Sequence, residues 1–296
     1  MEYIYLDNAA TTRQKPAVTR VMGDFAEQLF YNANALYTPA VHVQNQIDMA
    51  KRVIMDKLGV LFGDLVFTSG ATESNNMVIF GAPRGKLNII NADHASITEP
   101  LKHITPDRNV NHTHTHLDAT QIFCKIPFDV RGIDTISISA HKIGGPKGIG
   151  ALWIRKGVTL KPIMYGGGHD IRAGTPASPL IVGFAKAVGL WDTEKNLAIV
   201  RCLRERLVAG LPKSCTVNTE LTPANNPYIV YIDTPVFGQT IMNAMCERGI
   251  IIGIGSACSS KQNTKKKVIR VSFCPENTGA EIDKFLQNLA NVLDKL

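Results

Sequence analysis

Ser137-Ile138-Ser139-Ala140-His141-Lys142-Ile143-Gly144-Gly145-Pro146-Lys147-Gly148-Ile149-Gly150 is the stretch on which the reading of this chain turns. Before it, Gly132 to Ser139 alternates apolar and small polar side chains, as a strand with unlike faces does. Glycine and proline then stop the strand and bring backbone close to whatever lies at its end. Lys142, walled by small residues, has room for a bulky partner on its amine, and lysine amines condense with carbonyls. A surface lysine in a glycine loop is the alternative that this motif alone leaves open. The glycines do not fit G-x-x-x-x-G-K-[ST], so a nucleotide-hydrolase phosphate loop is excluded.

Working outward, Leu65-Val66-Phe67-Thr68 reads as a strand that runs into Ser69-Gly70-Ala71-Thr72-Glu73-Ser74-Asn75-Asn76 and a helix. Free backbone N–H groups at such a helix start form a phosphate seat, or serve an ordinary cap. Leu87 to Asn91 is the next strand and ends at Asp93-His94-Ala95-Ser96. In Asn109 to Asp118, the spacing of His112, His114 and His116 puts three imidazoles on one strand face. That pattern invites a metal site. The competing expectation, which we adopt, is no metal and a polar strand at a sheet edge or along a solvent-filled face, since a buried central strand is nearly all apolar. Earlier in the chain, Tyr3 to Leu6 is a short strand, and the polar loop Asp7 to Thr12 follows it. Val18, Met22, Phe25 and Leu29 mark one helical face after Pro16, and Val43, Ile47, Ala50, Ile54 and Leu58 mark a second that ends at Gly59. Later, a long helical region from about Pro179 to Leu211 is expected to link two lobes. The last third alternates strand and helix, and its final helix opens with the capping box Thr278-x-x-Glu281.

A chain of 296 residues with 45% hydrophobic content has enough material for one large or two smaller cores. No apolar run approaches the roughly 20 residues that span a bilayer, and Met1 to Asp7 does not read as a secretory signal, so no membrane partner and a cytoplasmic setting are expected. The six cysteines include no C-x-x-C pair and read as reduced thiols. Net charge is +7, but Lys261, Lys265, Lys266 and Lys267 sit in one short loop and no recognition motif accompanies them. No nucleic-acid partner is therefore expected.

Taken together, Tyr5-Leu6-Asp7-Asn8-Ala9-Ala10-Thr11-Thr12, Phe67 to Asn76, Asp118-Ala119-Thr120-Gln121, Ser139-Ala140-His141-Lys142, Arg172-Ala173-Gly174-Thr175, Gly255-Ser256-Ala257-Cys258 and Ile269-Arg270-Val271-Ser272 stand in one order from end to end. In this the chain resembles the class V pyridoxal-phosphate aminotransferase superfamily, and within it the cysteine desulfurases. The resemblance implies an α/β fold of the fold type I pyridoxal-phosphate enzymes, with a truncated, mostly parallel sheet in a large cofactor-binding domain. We assign residues 13–178 to that domain. Residues 1–12 and 179–296 are assigned to a smaller α+β domain, with 179–211 as a linking helix.

By the same resemblance, the cofactor is pyridoxal 5'-phosphate and Lys142 carries it as a Schiff base. His94 stacks on its ring, Asp118 faces the pyridine nitrogen, and Gln121 bonds the phenolic oxygen. Gly70, Ala71 and Thr72 hold the phosphate with Ser139 and His141, and Thr175 reaches across from the second subunit of a homodimer. Arg270 holds the substrate carboxylate. Cys258 takes sulfur from L-cysteine as a persulfide for a sulfur-acceptor protein, and alanine is released. Glycine and serine neighbours suit an exposed loop at Cys258, whereas the other five cysteines fall in helical or strand patterns where buried positions are expected. Another reaction on the same cofactor, transamination or β-elimination from cysteine or selenocysteine, and a catalytically silent binding protein are the alternatives.

The chain also departs from the family pattern. Only 23 residues separate His94 from Asp118, where the family carries two more strands and an asparagine that contacts cofactor and substrate. About five strands are therefore expected in place of seven, with Asn8 as a partial substitute for that asparagine. Cys258 and Arg270 lie only 12 positions apart, which shortens the loop that carries the cysteine.

Overall fold

The computed structural model describes residues 3–83, 85–104, 113–168, 170–255 and 266–295. Elements are numbered in chain order, and the chain divides into two compact units, Arg13–Trp191 and Met1–Thr12 with Asp192–Leu296.

The larger unit is built on a five-stranded sheet in the order β2 (Asp64–Thr68), β6 (Gly150–Ile154), β5 (Thr135–Ser139), β4 (Thr113–Asp118), β3 (Lys86–Ile90). β3, β4 and β5 run parallel, while β6 is antiparallel to both β2 and β5. The register aligns Thr68 and Ser139 with Gly150, and Asp118 with Ser137. The carboxyl ends of β2, β4 and β5 thus share one side of the sheet, where open α/β sheets hold ligands. Every residue of β5 and β6 is buried. That is the pattern of strands covered on both faces.

Helices α1 (Pro16–Gln28), α2 (Thr38–Leu58), α3 (Ala71–Gly81), α4 (Ala95–Leu101) and α5 (Ser178–Gly189) complete this unit. α2 buries Val43, Ile47, Ala50, Ile54 and Leu58, the stripe read from the sequence, and Gly59 ends it with a left-handed φ of 73°. α5 packs on α1 and α2.

That packing corrects the predicted boundary. The helical region that begins near residue 179 is two helices, α5 and α6 (Thr193–Ala209), and the units divide after Trp191 rather than after residue 178. α5 belongs to the larger unit because Ile181, Phe184, Ala187 and Val188 are all buried in it. Asp192 then starts a new helix, its side chain accepting the Lys195 N–H at 3.0 Å.

The smaller unit has an antiparallel sheet in the order β10 (Val268–Ser272), β8 (Ile229–Asp233), β7 (Thr216–Val217) and a parallel pair of β1 (Ile4–Tyr5) with β9 (Ile250–Ile251). α7 (Gly238–Glu247) and α6 both pack on α8 (Gly279–Leu293). The capping box of α8 is formed, with Thr278 accepting the Glu281 N–H at 3.2 Å and Glu281 accepting the Thr278 N–H at 2.8 Å. No described helix is long and apolar enough to cross a membrane.

The second correction concerns the histidine strand. β4 lies between β3 and β5, inside the sheet, and His114 and His116 are 2% and 0% exposed. The strand tolerates imidazoles in that position because they are hydrogen-bonded to Thr135 of β5 and Asn75 of α3. His112 lies outside the described residues.

Candidate active site

Lys142 ends a single 3₁₀ turn, Ala140–Lys142, that follows β5 directly. It is only 7% exposed. Gly145 is needed behind it, because a Cβ there would lie 2.8 Å from the Ala140 carbonyl oxygen. Two imidazoles feel the Lys142 ammonium. His141 is pushed down to about 4, first by burial and then by Lys142, Lys125 and Lys147. His94 is also lowered, again first by burial, with Lys142 adding to the effect and Asp118 opposing it. His94 therefore lies within electrostatic reach of both the lysine and the aspartate, and both imidazoles are neutral at neutral pH.

Asp118 closes β4 and is buried. One of its oxygens accepts the Thr120 N–H at 3.0 Å, and the other accepts from Asn75 Nδ2 at 2.9 Å. Asn91 Nδ2 donates to its backbone carbonyl at 3.0 Å. Gln121 lies in the turn that follows. His94 caps α4, its Nδ1 accepting the Ser96 N–H at 3.0 Å, with Ser96 Oγ at 2.6 Å.

Gly70 precedes α3 with φ 155° and ψ 175°, a region that essentially only glycine adopts. The N–H groups of the first turn, from Ala71 onward, have no partner inside the helix. Gly150 comes so close that a Cβ on it would lie 2.6 Å from the Ile138 carbonyl and 2.7 Å from Gly70 Cα. The Ser139 hydroxyl is 4.0 Å from where a Gly70 Cβ would stand. Thr72 and Thr175 are exposed. Glu73 bonds Arg172 at 2.9 Å and the Ser69 N–H at 2.7 Å, tying the loop that carries Arg172 and Thr175 to the start of α3.

In the smaller unit Arg270 on β10 is 2% exposed. Its Nη1 donates to the Gly255 carbonyl and its Nη2 to Asp7 Oδ1, both at 2.7 Å. Its Nε has no partner among the described residues. Gly253 leaves room for the guanidinium, since a Cβ there would stand 2.6 Å from Nη2. Asn8 is buried, and its Nδ2 donates to the Ser272 carbonyl at 3.0 Å, the Tyr5 carbonyl at 3.2 Å and Asn277 Oδ1 at 3.3 Å.

Cys258 lies outside the described residues, as do Lys261 and Lys265. Of the five other cysteines, expected in buried positions, Cys202 and Cys246 are exposed on α6 and α7 and Cys274 is intermediate; only Cys124 and Cys215 are buried. Burial pushes the thiols of Cys124 and Cys274 up to about 12, which keeps them protonated and unreactive.

A buried amine, a fixed carboxylate, a capped imidazole and an open helix start with a glycine cradle therefore stand at the carboxyl ends of one sheet. These residues fit pyridoxal phosphate: its aldehyde needs the amine, its pyridine nitrogen an acid partner, and its phosphate free N–H groups. Asn75, which bonds Asp118, and Asp7, which holds Arg270, were not singled out in the sequence. Asn75 stood inside the quoted glycine-rich motif, but its partner lies 43 residues further along the chain.

The comparisons with known proteins agree with this geometry. The family described as "Aminotransferase class-V" matches residues 4–114 and 97–285. The chain belongs to this family of pyridoxal-phosphate enzymes. A cysteine desulfurase of Cereibacter sphaeroides is 29% identical over 379 aligned positions that cover 100% of this chain and 97% of the relative. The cysteine desulfurase IscS of Methanosarcina thermophila is 27% identical over 376 positions, covering 99% of this chain and 92% of the relative. A solved structure described as a NifS-like protein superimposes with a TM-score of 0.88 at 26% identity, covering 99% of this chain and 100% of that one. Alignments of this length over a chain of 296 residues mean that the relatives carry internal segments this chain lacks.

Proposed function

We propose that the chain is a pyridoxal-phosphate-dependent cysteine desulfurase, which takes sulfur from L-cysteine onto Cys258 and releases alanine. The observation that carries this reading is the convergence of His94, Asp118 and Lys142 beyond the carboxyl ends of β3, β4 and β5, where His94 feels both charged groups. The names of the relatives support cysteine as the substrate.

Bound there, the cofactor supplies a sink for the electron pair left when the substrate Cα–H bond breaks. Lys142 binds the cofactor and, as a free amine, moves that proton. Asp118 keeps the pyridine nitrogen protonated through its charge, and His94 stacks on the ring. Gln121 bonds the phenolic oxygen. The N–H groups of Gly70, Ala71 and Thr72 hold the phosphate, with Ser139 and neutral His141 assisting and Thr175 contributed by a second subunit. Arg270 takes the substrate carboxylate in a two-pronged contact that Asp7 helps to aim. Asn8, whose amide nitrogen is occupied, has its oxygen for the substrate. The Cys258 thiolate attacks the substrate's sulfur: an S–S bond forms, the C–S bond breaks, and its electron pair stays with the carbon that becomes the methyl group of alanine.

We further propose a homodimer that passes sulfur to an acceptor protein in iron–sulfur cluster assembly, in the cytoplasm. The exposure of Phe30, Leu36 and Tyr165, at 72%, 97% and 82%, supports a second copy on the larger unit. The test is an absorbance spectrum before and after cysteine. A visible band from bound cofactor, borohydride trapping of that cofactor on Lys142, and alanine formation are expected. No band and no trapping would favour a binding protein without catalysis, and full turnover by Cys258→Ala would favour β-elimination.

A further inference from the structure

The two described histidines of β4 are not accounted for by the roles above, yet they belong to one continuous buried chain of hydrogen bonds. Its directions can be assigned from the chemistry of the groups. The Asp118 carboxylate only accepts, so the atom of Asn75 that faces Oδ2 at 2.9 Å is the amide nitrogen. The same nitrogen lies 2.8 Å from Ser96 Oγ and gives its second hydrogen there. The Ser96 hydroxyl hydrogen is then directed to His94 Nδ1 at 2.6 Å, beside the Ser96 N–H. His94 therefore carries its own proton on Nε2.

On the other side, the Asn75 oxygen faces His116 Nε2 at 2.9 Å, so that nitrogen must be the donor. Ser137 Oγ lies 3.4 Å from the same nitrogen. In a neutral His116, Nδ1 is then the acceptor for the Thr135 hydroxyl at 2.9 Å, the shorter of its two contacts, the other being the Thr135 carbonyl at 3.2 Å, and the Thr135 hydroxyl oxygen receives the hydrogen of His114 Nε2, also at 2.9 Å. Apart from the Thr135 carbonyl, which can only accept and faces Nδ1 at 3.2 Å, each group keeps one role, and the hydrogens point inward from β4 toward Asp118 and His94. The arrangement requires a neutral His116. Burial is the main cause that holds it down to about 4, with Asp118 opposing, His114 helping and the Thr135 carbonyl also opposing.

We propose that Asn75 and His116, backed by Thr135 and His114, are positioning residues that set the Asp118 carboxylate and the His94 ring together. One fully buried amide gives one hydrogen to the group that faces the cofactor's nitrogen and the other to the serine that fixes the stacking imidazole. His116 locks that amide against a flip, because a reversed Asn75 would set its oxygen against a carboxylate and its nitrogen against a donor. The inference rests on the cofactor roles given to Asp118 and His94 above, but the hydrogen-bond chain itself does not.

The test uses the full-length wild type with His116→Phe, His116→Gln, Asn75→Leu and Thr135→Val. Titration of each apoprotein with pyridoxal phosphate gives a Kd, thermal melting of the apoproteins gives stability, and ¹⁵N resonances of the histidine rings report which nitrogen is protonated. Losing a charge-directed buried bond is expected to weaken the Kd about tenfold or more in Asn75→Leu and His116→Phe. Gln, which keeps a donor for the Asn75 oxygen, should restore most of it. His94 should show a protonated Nε2 in wild type and a mixture of tautomers in Asn75→Leu. Thr135→Val, which keeps the volume, should move the His116 signals even if the larger replacements fail to fold. An unchanged Kd and unchanged His94 signals in folded variants, with only the melting temperature lowered, would overturn the proposal. If wild type binds no cofactor, the cofactor reading fails, and the His94 and His116 tautomers still decide for or against the chain.

Discussion

Lys142 is buried next to the neutral imidazole of His141, which also feels the ammonium groups of Lys125 and Lys147, an environment suited to the covalent role proposed for its amine. Lys142→Ala should leave the protein folded but abolish borohydride trapping of the cofactor, checked by mass spectrometry of the reduced protein. Arg270 presents a rigid fork aimed by Asp7 and Gly255, and a lysine cannot reproduce its geometry. Arg270→Lys should raise KM for cysteine about tenfold or more with a smaller effect on kcat, measured in steady-state alanine production. Residues of this kind were legible where a short segment spells a chemistry by itself. Ser139-Ala140-His141-Lys142 puts an amine at the end of a strand, and Gly70-Ala71-Thr72 opens a helix. Asn75 was not legible, because its function comes from Asp118 and His116, which only the folded sheet brings to it.

At the scale of elements, periodicity gave α2 and the capping box gave α8, since both signals are local. β4 misled because polar residues in a strand usually mean water, and here they mean buried partners supplied by β5 and α3. This carries a consequence for stability. His94, His116 and His141 all have folded values below the ordinary 6.5, so the unfolded chain binds protons that the folded one refuses. The contributions of His116 and His141 are fully present above about pH 6.5 and are lost as pH falls toward about 4, with a limiting slope on the order of 1.4 kcal/mol per pH unit for buried His116 and less for partly exposed His141, and His94 acts in the same direction. Glu73 and Asp134, whose folded values are lowered, lose their contribution only at more acid pH, so the histidines dominate the upper window. Urea denaturation of the apoprotein at pH 7, 6 and 5 should show falling stability, and His116→Gln should flatten that fall. Within β6, Gly150→Ala would press a methyl group against Ile138 and Gly70. It should cost about 1–3 kcal/mol and weaken cofactor binding, as read by urea denaturation and cofactor titration.

For the whole molecule, the sequence conveyed the two-unit plan because the resemblance runs from Tyr5 to Ser272, but it misplaced the boundary. A continuous helical pattern across residues 179–211 hid the break at Asp192, and only the packing of α5 on α1 and α2 shows to which unit that helix belongs. The shortened sheet keeps five strands, and its retained carboxyl ends still carry Gly70, Asp118 and Lys142. Sedimentation equilibrium should give twice the mass of one chain, and a Thr175→Ala variant should remain dimeric while binding the cofactor less tightly. The central claim, that this compact chain still moves sulfur, is tested most directly at Cys258. After incubation of the holoenzyme with L-cysteine, mass spectrometry of the peptide that contains Cys258 should show the added mass of one sulfur atom, alanine should accumulate, and Cys258→Ala should yield neither while keeping the cofactor's visible band. Alanine-free turnover, or an unmodified Cys258 in an enzyme that holds its cofactor and consumes cysteine, would contradict it.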